Sequence, residues 1–225
     1  MEASLSLVQR LAVWALPVLF AVTLHEVAHG WVARSLGDST ASRLGRLSLN
    51  PLKHIDPVGT ILLPALLLLV GGFLFGWAKP VPVDARNFRH PRRDMAIVAV
   101  AGPLANLAMA LAWGLLLRYS LLHGADAGTW LGIRLMASAG VMINVALMVF
   151  NLLPLPPLDG GRVVAGLLPA HAAYRYSRIE PYGIMIVLGF FVLQSLFPAL
   201  GLIIAVPMYA VQNGIVHVLG LQALM

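Results

Sequence analysis

The sequence predicts an all-α polytopic membrane protein, with about five transmembrane helices plus a re-entrant or bent segment at 57–78. Three observations carry this. Of 225 residues, 60% are hydrophobic and only 11% are charged, whereas soluble domains carry about 25% charged residues. Too little polar surface exists to clothe a water-soluble fold. The apolar residues also come in blocks. Stretches 11–24, 57–78, 95–117, 135–158 and 181–216 hold no Asp, Glu, Lys or Arg, and about 20 such residues cross a bilayer. Finally, no repeat, low-complexity tract or long hydrophilic stretch marks a second domain. Residues 1–225 therefore read as one membrane-embedded domain, with a core over about 10–165 and C-terminal helices over about 181–220.

Each element follows in order. Residues 10–34 form a first helix, kinked at Pro17. No small-residue cleavage site precedes it, so it reads as an uncleaved span rather than a signal peptide. The connection "SLGDSTASRLGRLSLNPLKHID" (35–56) carries Gly and Asn-Pro signals that rule out a continuous helix. The apolar segment 57–78 follows, then a helix over 95–118 and a short turn containing "HGADAG" (123–128). A helix over 130–153 runs into "NLLPLPPLDGGR" (151–162). The last block is long enough for two helices, broken near "LFPALG" (196–201).

Chemistry concentrates in "HEVAH" (25–29), near the end of the first span. On a helix, positions i and i+4 share a face, so His25 and His29 can address one cation. Glu26 lies about 100° round the helix, near enough to take a proton from a metal-activated water without being a ligand itself. Zinc lowers the pKa of bound water towards about 7. One ionisable residue at bilayer depth costs about 2.5–3.5 kcal/mol on insertion scales. Three within five residues need a cation and a wet cavity to offset that burden.

Two histidines leave a catalytic zinc site one protein ligand short. The chain has no cysteine, so the third ligand must be a histidine or a carboxylate. Glu2 lies at the terminus, and Glu180 sits beside Arg178 at a loop–helix boundary. Asp159 stands alone between Asp126 and Glu180, after a long uncharged run, and is the best candidate. A turn or helix-end Asp before Gly-Gly is the plain alternative. His54, His90, His123, His171 and His217 show no metal-like spacing and read as loop or interfacial residues.

With these residues in view, the chain resembles the site-2 protease family of intramembrane zinc metalloproteases. The likeness rests on "HEVAHG" (25–30) and on "NLLPLPPLDGG" (151–161), which fits the family pattern N-x-x-P-x-x-x-x-D-G. "AGPLANL" (101–107) and "FGWAKPVPV" (75–83) are similar to short bacterial and archaeal members. The resemblance implies a zinc ion held by His25, His29 and Asp159, with Glu26 as general base and acid. It also implies that Asn151 holds the scissile carbonyl or its oxyanion, and that Asn106 faces the site. No PDZ-like or CBS-like insertion is expected. Were the helix to continue past Asn151, eight residues would put Asn151 near the face of Asp159, and an amide donor on a developing oxyanion is worth about 2.7–4 kcal/mol. An interhelical hydrogen bond is the alternative role for Asn151, and still more for Asn106 and Asn144.

Topology supplies a separate expectation. Asp159 reaches the depth of His25 and His29 only after an even number of crossings, and the helices at 95–118 and 130–153 already make two. Segment 57–78 should therefore enter the membrane without crossing it, with Pro64 and Gly71-Gly72 breaking its helix. Of the 15 Lys and Arg, only Arg10, Arg118 and Arg134 then lie opposite the motifs. The positive-inside rule makes the motif side cytosolic, with the N-terminus outside the cell membrane. It also explains the net charge of +6 without nucleic acid.

The expected partners are a transmembrane protein substrate and the bilayer, and the expected reaction is peptide-bond hydrolysis in or near a transmembrane segment. A substrate must offer an extended strand, for which 57–83 is the expected edge or gate. The competing reading is a membrane metal transporter or metal-sensing protein using the same cluster as a transient ion site.

Overall fold

In the computed structural model, residues 6–63, 66, 76–123 and 129–224 are described. Among them there is no strand. Helix α1 spans Leu7–Ser35 and starts on a capping box, in which Ser6 Oγ accepts from Gln9 N–H while Gln9 Oε1 takes the Ser6 N–H. It runs on through Pro17. Helices α2 (Pro91–His123) and α3 (Thr129–Asn151) form an antiparallel pair, followed by α4 (Asp159–Leu167) and α5 (Ala170–Ser177). Helices α6 (Gly183–Leu196) and α7 (Leu202–Val218) are separated by a 3-10 turn at Pro198–Gly201, where the sequence places its break. Among the described residues, five helical stretches are long and apolar enough to cross a membrane: 8–35, 91–123, 130–151, 170–196 and 198–218.

The central helices meet through small residues. Ala21, Ala33, Gly102, Ala110, Gly114, Ala137 and Ala139 are all buried, while Leu11, Leu19, Phe20, Leu104 and Leu115 stay exposed. Lipid is as apolar as Leu, so burying Leu gains little between membrane helices. Close backbone approach and interhelical hydrogen bonds do the holding. Val13 of α1 packs on Leu135 and Ala139 of α3. Helix α7 joins by seating Ile215 and Leu219 against Ala110, Val145 and Met148, and the Leu219 carbonyl receives Arg118 Nη1.

Both ends of 57–78 lie together. Trp77 N–H donates to the Gly59 carbonyl at 3.1 Å, and Lys79 N–H to the His54 carbonyl at 2.8 Å. Thr60 Oγ1 adds a bond to the Trp77 carbonyl. The segment returns to where it left, as the crossing parity requires. Its expected breakers, Pro64 and Gly71-Gly72, lie outside the described residues, as does 124–128 of the α2–α3 turn.

The loops after α1 and before α2 are clipped to each other by one buried carboxylate. Asp38 accepts from the Asp84 N–H at 2.7 Å, from Asn87 Nδ2 at 2.7 Å and from the Thr40 N–H at 3.0 Å. Burial pushes its carboxyl up, but these bonds and the Thr40 hydroxyl outweigh that and hold it below the ordinary range. Half-buried Asp84 is held down at about 2 by hydrogen bonds from Arg86. Residues near 45 and near 87 therefore share one side of the molecule.

Candidate metal centre

Helix α1 presents His25 and His29 one turn apart, on the face turned towards α2. The hairpin that ends α3 turns through Pro154, Pro156 and Pro157 and delivers Asp159 as the first residue of α4. A carboxylate is well placed there, because the helix N-terminus carries partial positive charge. All three side chains are buried, each under a tenth exposed. His25 Nε2 and His29 Nε2 are 3.0 Å apart. Asp159 Oδ2 stands 3.1 Å from the first and 3.2 Å from the second. These three form the one group among the described residues that could hold a metal ion.

The proton count decides what this triangle wants. His25 Nδ1 lies 2.6 Å from Asn106 Oδ1. That oxygen is oriented by the other end of the amide, since Asn106 Nδ2 donates to Asn144 Oδ1 at 2.9 Å and to the Ala21 carbonyl at 3.2 Å. His29 Nδ1 lies 2.7 Å from the Val98 carbonyl. Both partners are acceptors only, so each Nδ1 donates to its partner and the two Nε2 atoms are left facing each other. The Asp159 oxygen they face has no hydrogen-bond donor of its own. One proton could relieve a single edge of this triangle; a cation relieves all three. Ligands about 2.0–2.1 Å from one zinc stand roughly 3–3.4 Å apart, which is the spacing present. The residues fit the metal.

Helix α2 makes room for it. Val98, Gly102 and Asn106 recur every fourth residue and line one face. A Cβ on Gly102 would run into His29 Nε2 and His25 Cε1. The flanking positions supply the two Nδ1 acceptors. Asn144, fully buried on α3, closes the network by donating to the Gly140 carbonyl at 2.8 Å. Asn106 thus makes the interhelical bonds expected of it and also holds a ring of the site.

Glu26 is half-buried outside the triangle, and its Oε2 accepts the Val81 N–H at 2.7 Å. Asn151, the last residue of α3, is half-buried and donates Nδ2 to the Leu147 carbonyl at 3.0 Å. Among the described residues its amide meets its own helix rather than the triangle. His54 is buried and bonds the Ser48 carbonyl, a loop role as expected. Sequence reasoning missed Gly102, the Val98 carbonyl and the Val81 N–H. A small-residue stripe leading into Asn106 was the one available signal. Nothing local marks a backbone group as a partner for a side chain 55 residues away.

Comparison with known proteins agrees. The family model described as peptidase family M50 matches residues 121–194, a stretch holding Asn151 and Asp159. "Putative zinc metalloprotease YwhC" of Bacillus subtilis (strain 168) is 42% identical over 177 residues, covering 78% of each chain. "Putative zinc metalloprotease Rip2" of Mycolicibacterium smegmatis is 31% identical over 178 residues, covering 79% of this chain and 66% of that protein. "Putative zinc metalloprotease Rip2" of Mycobacterium tuberculosis (strain H37Rv) is 33% identical over 144 residues, covering 63% and 52%. No solved structure matches. On the extent of its identity to these relatives and on the matched family model, the chain belongs to peptidase family M50, the site-2 protease family.

Proposed function

We propose that this membrane metalloprotease is zinc-dependent and cuts peptide bonds in or near the transmembrane segments of other membrane proteins. The observation that carries the reading is the convergence of three lone-pair atoms within 3.0–3.2 Å, with both imidazole Nδ1 atoms already engaged elsewhere.

In this reading His25, His29 and Asp159 hold the zinc. When bound there, zinc supplies a Lewis acid that acidifies a water and polarises the scissile carbonyl. Glu26 would act as the base that accepts a proton from the attacking water and as the acid that passes it to the departing amine. Asn151 keeps one amide hydrogen beyond the Leu147 bond, and offers it to the carbonyl oxygen as charge develops. The buried Asn106 and Asn144 keep the His25 ring oriented, so its Nε2 stays available. A substrate must unwind locally to present its backbone, because helical peptide groups are already bonded to each other.

The charge distribution supports a cytosolic active-site side and an external N-terminus. Reporter fusions near residues 45 and 87 should then both report the cytosol. The reaction is tested by metal content together with cleavage of a model transmembrane peptide. Glu26→Gln should keep one zinc per chain and lose turnover, and substantial cleavage by that variant would refute the assignment of the base. The transport reading draws no support from the placement of polar groups. His25, His29, Asn106, Asn144 and Asp159 gather in one connected cluster, not in a file through the bilayer.

A further inference from the structure

The stretch 76–84 has no regular secondary structure and passes beside Glu26 and Gly30 of α1. It is pinned on both sides of that crossing. Before it, Lys79 N–H donates to the His54 carbonyl, and Arg46 Nη2 holds the Lys79 and Pro80 carbonyls at 3.0 and 3.3 Å. After it, Asp84 N–H is bound by Asp38 at 2.7 Å. Between the pins the chain reads Pro80-Val81-Pro82. Proline has no N–H, so Val81 supplies the one main-chain donor of this tripeptide, and Glu26 Oε2 takes it.

Val81 itself is buried at 6% exposure, seated on the notch left by Gly30. A Cβ on Gly30 would stand 2.9 Å from Val81 Cγ1 and 2.9 Å from Leu47 Cδ1. The strap therefore keeps its place through contacts that do not involve Glu26. Glu26 meets it through a side chain with three rotatable bonds, so the contact restricts the carboxylate. It follows that 80–82 offers no spare donor to an incoming strand, whatever its carbonyls do.

Resting on the protease reading above, we propose that the Val81 main-chain N–H is a positioning group for Glu26. It holds Oε2 through a charge-assisted bond and leaves the other carboxylate oxygen aimed at the proton to be moved. A base held in place works at a far higher effective concentration than one sampling several rotamers. The flanking prolines keep the strap's remaining backbone from competing for the same carboxylate.

The test compares Val81→Pro, which removes the donor, with Val81→Ala, which keeps the donor and trims the packing. A backbone ester at position 81, made with the α-hydroxy acid of valine, removes the N–H, weakens the Pro80 carbonyl as an acceptor for Arg46, and serves if the proline variant misfolds. The donor-lacking forms should lose kcat by roughly ten- to a hundredfold, with KM within about twofold and bound metal per chain unchanged. Val81→Ala keeps the N–H and should lose clearly less kcat than the donor-lacking forms.

A melting-temperature cycle with Glu26→Ala reads the same contact without catalysis. Loss of the donor should cost less in that background than in wild type. Unchanged or faster turnover without the N–H, an equal loss in Val81→Ala, or an additive cycle overturns the inference while leaving wild-type proteolysis intact. Absence of wild-type cleavage instead refutes the protease reading, and cleavage by Glu26→Gln refutes Glu26 as the base; either removes this role with it, whatever the cycle reports.

Discussion

The helices that carry the cluster and the helices that follow it meet their surroundings differently. In the most apolar stretches of α2 and α3, 39% and 44% of residues are buried, against 11% and 6% in 170–196 and 198–218. Helices α2 and α3 spend Gly, Ala and Asn on contact with each other and with α1. Helices α6 and α7 turn Ile184, Met185, Val192, Leu202, Val206 and Tyr209 outward, as a lipid-facing surface does. All four stretches are apolar enough to cross a membrane. The distribution of small and polar residues marks which one holds a site, because only close helices can orient buried imidazoles.

That contrast can be broken where it is tightest. Gly102→Ala puts a carbon among the two ring edges. Overpacking costs about 1–3 kcal/mol, and here the strain falls on the metal-facing nitrogens. Metal affinity, read by chelator competition, should drop by up to about a hundredfold. Next comes the ring holder. Asn106→Ala leaves His25 Nδ1 and Asn144 Oδ1 without partners, and outer-shell losses of this kind cost about 10–100-fold in metal affinity. Asn106→Asp keeps the acceptor and should recover part of the loss.

A matched pair sharpens the other side of the comparison. Ile215→Val, at 4% exposure, should cost about 1 kcal/mol in detergent unfolding. The same change at Ile203, 51% exposed, should cost nearly nothing. Neither should alter metal content. Loss of metal in Ile203→Val would show that the C-terminal helices support the cluster after all.

The smallest effect concerns the loop clip. Because Asp38's carboxyl is held below its ordinary range, its ionised form stabilises the folded state. That contribution is complete above the usual carboxylate pKa and is lost as pH falls through the lowered folded value. Asp38→Asn should therefore melt below wild type at neutral pH, with the gap closing in acid. A gap that widens on acidification would contradict the clip.

Much of this was legible in the residues. His25 and His29 were readable because their spacing fixes a shared helix face whatever surrounds it. Asp159 followed from the scarcity of acids, and the return of 57–78 from crossing parity, now seen in the Gly59–Trp77 bond. Helix ends drifted by several residues, as at α2, which starts at Pro91 where the sequence suggested 95. The short helices α4 and α5 were not anticipated. Asn106 was expected at an interhelical bond or facing the site; that it serves both needed the contact itself.

By itself, the sequence determined residence in the bilayer, the approximate spans, and the donor types available to a metal. Those properties depend on composition and on spacing along one helix, which local chemistry dictates. Tertiary structure alone decided that His25, His29 and Asp159 bring three ligand atoms together, that Gly102 clears space for them, and that Val81 reaches Glu26. Each depends on which faces of separate helices and loops come within about 3 Å, the range over which hydrogen bonds form, and no pattern along a single strand of residues encodes that distance.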